Sequence, residues 1–312
     1  MAEISVIIVS WNACRYLRDC LNSLRETSGA LLREVIVVDN ASTDGSPEMV
    51  AEQFPEVTLI RSTENLGFAR ANNLGLRRAS GSLLALVNSD VIVHPGCFQE
   101  LAAFIERYPK VGLAGPKILG GDGGLQLTCG QLPTVWNTTC RLLALDRVLS
   151  AWPLFSGFQM RHWDYDRRAE VQVLSGCFWV ARRAAVNEVG ELDEQFFFYA
   201  EDMDWCKRFG DAGWKIALVP EATATHFGGG SSSNAPLHYS IEMLRGSLRY
   251  WRKHHGHLGQ SVYYLLATAR HCLRFVARGL MSIAGLAKGD EDRYKLKEDI
   301  VCLRWLLTGK GV

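Results

Sequence analysis

The chain has 312 residues, of which 48% are hydrophobic and 21% charged, which excludes a largely disordered polymer and suits one large α/β domain with an appendage. Its net charge of +1 argues against a surface given over to nucleic acid, yet the charge is uneven. From Ser240 onward thirteen Lys and Arg stand against six Asp and Glu, an excess of +7 that leaves −6 to the first 239 residues. Nine cysteines, odd in number and without a CxxC, fit reduced cytosolic thiols and argue against a disulfide framework or a structural zinc site.

The first segment, ISVIIVSWN (4–12), is a β-branched run ending in polar residues. With no basic stretch before it, it reads as a buried strand and not as a signal peptide. CRYLRDCLNSLRE repeats apolar residues at helical spacing, and EVIVVDNAS (34–42) is a second strand, which completes a βαβ unit. TDGSPEMVAEQF predicts a turn and a second helix, with Ser46 as N-cap, Pro47 at the first helical position and Glu48 behind it. VTLIRS (57–62) is a third strand and NLGFARANNLGLRRAS another loop and helix. SLLALVNSDVIV (82–93) is a fourth strand, broken at Asn88-Ser89-Asp90.

Strands that alternate with helices and are apolar almost throughout imply an α/β fold, with a doubly wound, mostly parallel sheet covered on both faces. Such sheets bind ligands at the carboxyl ends of their strands. Here those ends carry Ser10-Trp11-Asn12, Asp39-Asn40 and Asn88-Ser89-Asp90. The same residue types are ordinary turn formers, so both readings stand on composition alone. Neither a GxGxxG nor a GxxxxGK[ST] phosphate loop is present.

From about Gly120 to Arg168 the pattern weakens into a Gly-rich turn (Gly120 to Gly124) and aromatics at 136, 152, 155, 158 and 163. That segment is either an acceptor-side or lid region or a pair of helices. VQVLSGCFWVARRAAVNEVG reads as a strand and helix, and WKIALVPEATATHFGGGSS as a strand entering a Gly/Ser loop that contains His226. Between them, FFFYAEDMDWCKRFGDAGW (196–214) sets Glu201, Asp202 and Asp204 behind four aromatic residues. An acid against apolar surface is a candidate proton acceptor, while acids also belong in a first helical turn, where free N–H groups attract them. On a helix Asp202 shares a face with Trp205, Cys206 and Phe209, whereas Asp204 pairs with Arg208 four residues on. Asp202 is therefore expected to face a site and Asp204 to be structural.

In the tail, Arg270, Arg274 and Arg278 fall on one helical stripe. A basic amphipathic helix of this kind either lies on a membrane surface or packs on the acidic part of the chain or another subunit. These arginines and His271 interrupt the apolar stretch Val262 to Ala287, which does not qualify as a membrane span.

Taken in order, SVIIVSWN, VIVVDNASTDGS, NLGFARANNLG, LVNSD, LSGCFWVARRAAVNEVGELDEQFFFYAEDMDWCKR and VPEATATHFGGGSS resemble the family 2 glycosyltransferases of GT-A fold, in their rhamnosyltransferase-like branch. The resemblance covers about residues 4 to 233. It implies a Rossmann-like catalytic domain over 1–239, with 240–312 as a basic helical extension. It also implies an inverting transfer of a sugar, rhamnose from dTDP-rhamnose, to a glycan or lipid-linked acceptor of a cell-surface polysaccharide. UDP-sugar transfer on the same fold, and an inactive sugar-nucleotide-binding protein, are the alternatives. Carried onto this sequence, Asp39 would contact the nucleotide, with Ser10, Trp11 and Asn12 as the floor of its pocket and Asp44, Asn73 and Asn88 beside it. Asp44 is equally an N-cap. The NSD triplet stands where the family has a DxD motif, so Asp90 would hold Mg2+ or Mn2+, and His226 would complete the metal site. Asn88 in place of the first acid departs from that motif. Asp202 resembles the general base, Glu201 would lie on the acceptor side, and the loop from Gly228 to Ser233 would close over the diphosphate. No nucleic acid is implied; the expected location is cytoplasmic, with the tail reaching the inner face of the membrane.

Overall fold

The computed structural model describes residues 3–27, 29–229, 235–284 and 289–310. In chain order the elements are β1 (Ile4–Ser10), α1 (Cys14–Thr27), a 3-10 turn (Gly29–Leu31), β2 (Leu32–Asp39), α2 (Ser46–Gln53), β3 (Thr58–Arg61), α3 (Gly67–Arg78), β4 (Leu83–Asn88) and β5 (Val91–Val93). There follow α4 (Cys97–Arg107), β6 (Val111–Gly120), β7 (Cys129–Gly130), α5 (Val135–Leu142), α6 (Leu145–Val148), α7 (Pro153–Ser156), β8 (Ala169–Val171), β9 (Val173–Leu174) and β10 (Phe178–Arg182). The chain continues with α8 (Arg183–Val189), α9 (Glu201–Asp211), β11 (Lys215–His226), α10 (Pro236–Ile283) and α11 (Gly289–Thr308). It divides into two compact units. One is Met1–Leu132, Gln159–Phe197 and Glu201–Asn234; the other is Pro133–Phe158, Phe198–Ala200 and Ala235–Val312.

The first unit is built on a sheet of order β3-β2-β1-β4-β10-β6-β11-β5, with β8 paired to β11. Alternation along the strands sends Val6 and Ile8 to one apolar layer and Ile7 to the other, and likewise Val35 and Val37 against Ile36 and Val38. Both layers are covered, the first by α1, α2 and α4 through Leu17, Met49, Phe98 and Leu101, the second by α3, α8 and α9 through Leu76, Val186, Trp205 and Phe209. Burial on both faces is why these strands read as continuous apolar runs.

The sheet is mixed but parallel along most of its paired length. β10 lies antiparallel between β4 and β6, and β5 and β8 run antiparallel to β11. The reversal at β10 has a structural consequence. Because Phe178 pairs with Val87, the start of β10 stands beside the end of β4, and the Asn88 N–H donates to the Cys177 carbonyl at 2.9 Å.

Two local expectations change. The cap of α2 is Gly45, in the left-handed region at φ 82, and not Ser46. The capping oxygen comes from Asp44, whose Oδ1 accepts from the Ser46 N–H at 3.1 Å and hydroxyl at 2.5 Å. The strand expected across VQVLSGCFWVARR is three short strands, β8, β9 and β10.

In the second unit, Pro133–Phe158 forms three short helices, the first closed by a capping box between Thr134 and Asn137. Gly256, at φ 67 and ψ −168, breaks the helical path within α10. The α10–α11 hairpin packs Leu244, Ala267, Cys302 and Leu306 together. Asp299, fully buried, accepts from His271 Nδ1 at 2.8 Å and pairs with Arg274 at 3.3 Å and with Arg278. The arginine stripe is thus turned onto α11, a partner the sequence reading did not consider, because α11 supplies the acids Glu298 and Asp299. The face of α10 that carries Leu265, Leu273, Val276, Leu280 and Ile283 is exposed. Among the described residues no helix is long and apolar enough to cross a membrane.

Candidate active site

The carboxyl ends of β1 and β2 stand in register, Ser10 opposite Asp39. Both side chains are buried, and each has an oxygen without a partner, Ser10 Oγ and Asp39 Oδ1. Buried polar atoms are nearly always hydrogen-bonded, so two orphaned oxygens at adjacent strand ends mark a place where a ligand would complete the bonding. Asp39 Oδ2 accepts from the Ser42 N–H at 3.2 Å. A cleft of about 380 Å³ opens beside Asp39, lined also by Ser42, Thr43, Arg61 and Ser62.

The other residues expected around the nucleotide divide. Trp11 is half-buried at the end of β1. Asn12, at φ 50, uses its Oδ1 to accept from the Thr43 N–H at 2.8 Å, and so holds the loop that borders Asp39. Asp44 ties two helix starts together, accepting from Cys14 N–H at 2.8 Å as well as from Ser46. Partial burial raises its pKa, but these hydrogen bonds outweigh it and bring the carboxyl below its ordinary range. Asn73 is 1% exposed, donates to the Leu192 carbonyl and Glu194, and accepts from the Leu192 N–H, so its amide is used in fastening α3 to the segment before α9. Asn40, beside Asp39 at the end of β2, donates to Asn65 Oδ1 and accepts from the Leu66 N–H, each at 2.8 Å, and fixes the entry to α3.

Asn88, Asp90 and His226 come together although β4 and the end of β11 are far apart in sequence. β11 pairs with β5, which follows Asp90 directly, and the Phe227 N–H donates to the Asp90 carbonyl at 3.1 Å. His226 Nε2 lies 3.2 Å from Asp90 Oδ1 and 3.5 Å from Asn88 Nδ2, and its Nδ1 lies 2.9 Å from Gln126 Oε1. A carboxylate oxygen and an imidazole nitrogen aimed at one point suit a divalent cation such as Mn2+ or Mg2+. Among the described residues no group of three or more His, Cys, Asp or Glu could hold a metal, so this pair would leave most of a coordination shell to a ligand. Of the loop expected over the diphosphate, Gly228 and Gly229 are left-handed, and residues 230 to 233 lie outside the described set.

The acids of α9 separate by helix phase. Asp204 is fully buried and bound to Arg208 at 2.9 Å, and Arg208 also donates to the Val189 and Glu191 carbonyls, which is a structural role. Glu201, expected on the acceptor side, is 6% exposed, with Oε2 unpartnered. Burial, and then the charge of Asp202, raises its pKa well above the usual carboxylate range. Asp202 is the one half-exposed acid of the three, and its Oδ1 accepts from the Met203 N–H at 2.8 Å.

Cys177, buried just before β10, has its thiol pushed up to about 12 by burial, with the charges of Asp90 and Asp202 adding to the rise.

Residues 5–190 match the profile of glycosyl transferase family 2. Over 217 residues the chain is 29% identical to N-acetylglucosaminyl-diphospho-decaprenol L-rhamnosyltransferase of Mycobacterium tuberculosis, covering 65% of this chain and 69% of that protein. It is 26% identical over 228 residues to glycosyltransferase AglE of Haloferax volcanii, covering 72% and 66%. In fold it is similar to a mannosyltransferase of Pyrobaculum calidifontis solved with GDP-Man and Mn2+, with a TM-score of 0.58 and 18% identity over 99% of this chain and 88% of that one. It is likewise similar to GalNAc-T7 solved with UDP, GalNAc and Mn2+, with a TM-score of 0.58 and 17% identity over 73% of this chain and 43% of that one. The strand-end acids and the acid-rich start of α9 lie on a GT-A fold, and the chain belongs to glycosyl transferase family 2 as a rhamnosyltransferase-like glycosyltransferase.

Proposed function

We propose that the protein transfers a sugar with inversion from a nucleoside diphosphate donor, rhamnose from dTDP-rhamnose, to a glycan or lipid-linked acceptor of a cell-surface polysaccharide. The observation that carries this reading is the pair of buried, unpartnered oxygens, Ser10 Oγ and Asp39 Oδ1, at the adjacent carboxyl ends of β1 and β2. Ser10 Oγ and Asp39 Oδ1 would accept hydrogen bonds from the base or ribose, since both are buried and unpartnered. Trp11 would form the floor of that pocket, Asn12 and Asp44 would hold its rim, and Asn88 would offer its amide to the ribose or phosphate. Asp90 and His226 would hold Mg2+ or Mn2+, whose charge would offset that developing on the diphosphate.

Asp202 takes the proton of the acceptor hydroxyl, whose oxygen attacks the anomeric carbon from the side opposite the diphosphate. A new carbon–oxygen bond forms as the bond to phosphate breaks, and its electron pair leaves with the nucleoside diphosphate. Glu201 stands beside Asp202 at the start of α9, with burial and then the charge of Asp202 raising its pKa well above the usual carboxylate range. The dTDP and rhamnose assignments draw support from the 29% identity to an L-rhamnosyltransferase whose named acceptor is lipid-linked. A peripheral position on the inner face of the cytoplasmic membrane would suit such an acceptor, with the exposed Leu265, Leu273, Val276, Leu280 and Ile283 of α10 as the contact.

Calorimetric titration with dTDP, UDP and GDP, each with Mn2+ and with chelator, tests the donor site. Metal-dependent binding of dTDP above the other two is expected. Tighter UDP or GDP binding refutes the dTDP assignment, and binding of none of them refutes the donor site itself.

A further inference from the structure

The Gly-rich segment between β6 and β7 is not explained by the reaction. Its backbone closes tightly: Gly120 N–H donates to the Gly124 carbonyl at 2.7 Å, Gly123 N–H to the Gly120 carbonyl at 2.9 Å, and Asp122 Oδ1 accepts from the Gly124 N–H at 3.0 Å. Gly123, at φ 79, sits where a side chain would be strained. Directly after this turn Gln126 is bound back to the sheet by its N–H, 2.9 Å from the Ile118 carbonyl. Its side chain then reaches His226, with Oε1 2.9 Å from Nδ1. A tight glycine turn fastened at both ends serves to deliver one amide to one imidazole.

An amide oxygen can only accept, so contact with Gln126 Oε1 calls for the proton on Nδ1. On the other side of the ring, Asn88 presents its amide nitrogen, a donor, 3.5 Å from Nε2. Both amides favour the same tautomer, with Nε2 unprotonated. Nε2 faces Asp90 Oδ1 at 3.2 Å. A proton on Nε2 would bridge the two as a hydrogen bond, and with Nδ1 donating to Gln126 a divalent cation would take the place of that bridging proton.

We propose that Gln126, delivered by the Gly120–Gly124 turn, is a positioning residue that holds His226 as its Nδ1–H tautomer and keeps Nε2 available, with Asp90, to a divalent cation. The proposal rests on the reading of Asp90 and His226 as the metal side of the site. Asn88, which departs from the acidic motif, places an amide nitrogen and not a second carboxylate 3.5 Å from Nε2.

The test uses the full chain and two readouts independent of turnover. In 15N-histidine-labelled protein, long-range proton–nitrogen correlation reports the tautomer of His226, its signals identified by their loss in His226→Asn. Mn2+ binding in the presence of inorganic pyrophosphate is followed by electron spin resonance. The wild type should show Nδ1–H, and Gln126→Leu should lose that preference and bind Mn2+ at least about tenfold more weakly, in line with other residues that orient metal ligands. Gln126→Glu, which still accepts from Nδ1–H, should restore both. Asp90→Ala separates the two readings. If it abolishes Mn2+ binding while Gln126→Leu binds as the wild type does, or if wild-type His226 carries its proton on Nε2, the role of Gln126 is overturned and the metal side stands. Wild-type Mn2+ affinity in Asp90→Ala overturns the metal side, and the proposal with it.

Discussion

Replacing Asp202 by Asn should remove the chemistry and spare the fold and the donor site. The expected separation follows from the α9 contacts. Asparagine keeps Oδ1, which accepts from the Met203 N–H at 2.8 Å, and Asp202 is half-exposed, so no buried void is created. Ser10, Asp39 and Asp90 lie on other elements, and nucleotide affinity should stay within about twofold. A positioned general base contributes about 10²- to 10⁴-fold in rate. At 1.36 kcal/mol per tenfold, its loss adds about 3–5 kcal/mol to the barrier. The assay is release of nucleoside diphosphate at saturating donor, with water as acceptor where no glycan is supplied, beside calorimetric Kd values. Asp204→Asn is the control. Its carboxylate is fully buried against Arg208, so that change should lower stability through an unpaired guanidinium and affect turnover only in proportion to unfolding. A fall in kcat of less than about tenfold in Asp202→Asn, or an equal weakening of nucleotide binding, would refute the assignment.

Asp39→Ala should weaken nucleotide binding by about 1.5–3 kcal/mol, the worth of a hydrogen bond to a charged group, with melting temperature lowered only by the loss of the Ser42 N–H bond to Oδ2, since Oδ1 has no protein partner to lose. Calorimetry checks it, and an unchanged Kd removes Asp39 from the site. Glu201→Gln should be stabilising in a pH-dependent way. The folded-state pKa of Glu201 is raised, so above its ordinary value of 4.5 the folded chain binds more protons than the unfolded one, and stability falls as pH rises. The melting temperature of Glu201→Gln minus that of the wild type should therefore be near zero at pH 4 and grow positive towards neutrality; a constant or negative difference contradicts it. Asp299→Ala should cost about 3 kcal/mol or more in urea unfolding, because His271, Arg274 and Arg278 lose a fully buried partner. A loss below about 1 kcal/mol would mean that these pairs are relaxed in solution.

What the sequence makes legible depends on whether the chemistry leaves a local trace. β1, β2 and β4 are plain because both faces are buried, and their polar endings mark the ligand edge of the sheet. Gly67 in the NLG motif is required by backbone geometry. It sits at φ 77, and a Cβ there would come within 2.4 Å of the Phe197 carbonyl, the same carbonyl that accepts from the Phe68 N–H at 2.7 Å. Asn73 belongs to the same motif yet points to the interior, since a motif fixes the order of residues and not the side of a helix on which each one lies. Helix phase could decide between Asp202 and Asp204, because Arg208 stands four residues beyond Asp204. It could not place Glu201, whose burial depends on non-local packing. Gln126 left still less trace. It follows a turn whose glycines predict only a bend, and its partner is 100 residues away. The antiparallel course of β10 was equally silent, for an apolar strand reads the same in either direction, and that course is what brings Cys177 beside Asn88. The residues that bear charge were therefore visible by type, and those that orient them became visible only through the pairing of distant strands. In this chain Asn88 and Gln126 both place an amide against His226, so a search for acids and imidazoles alone finds Asp90 and His226 and misses the amides that surround the ring.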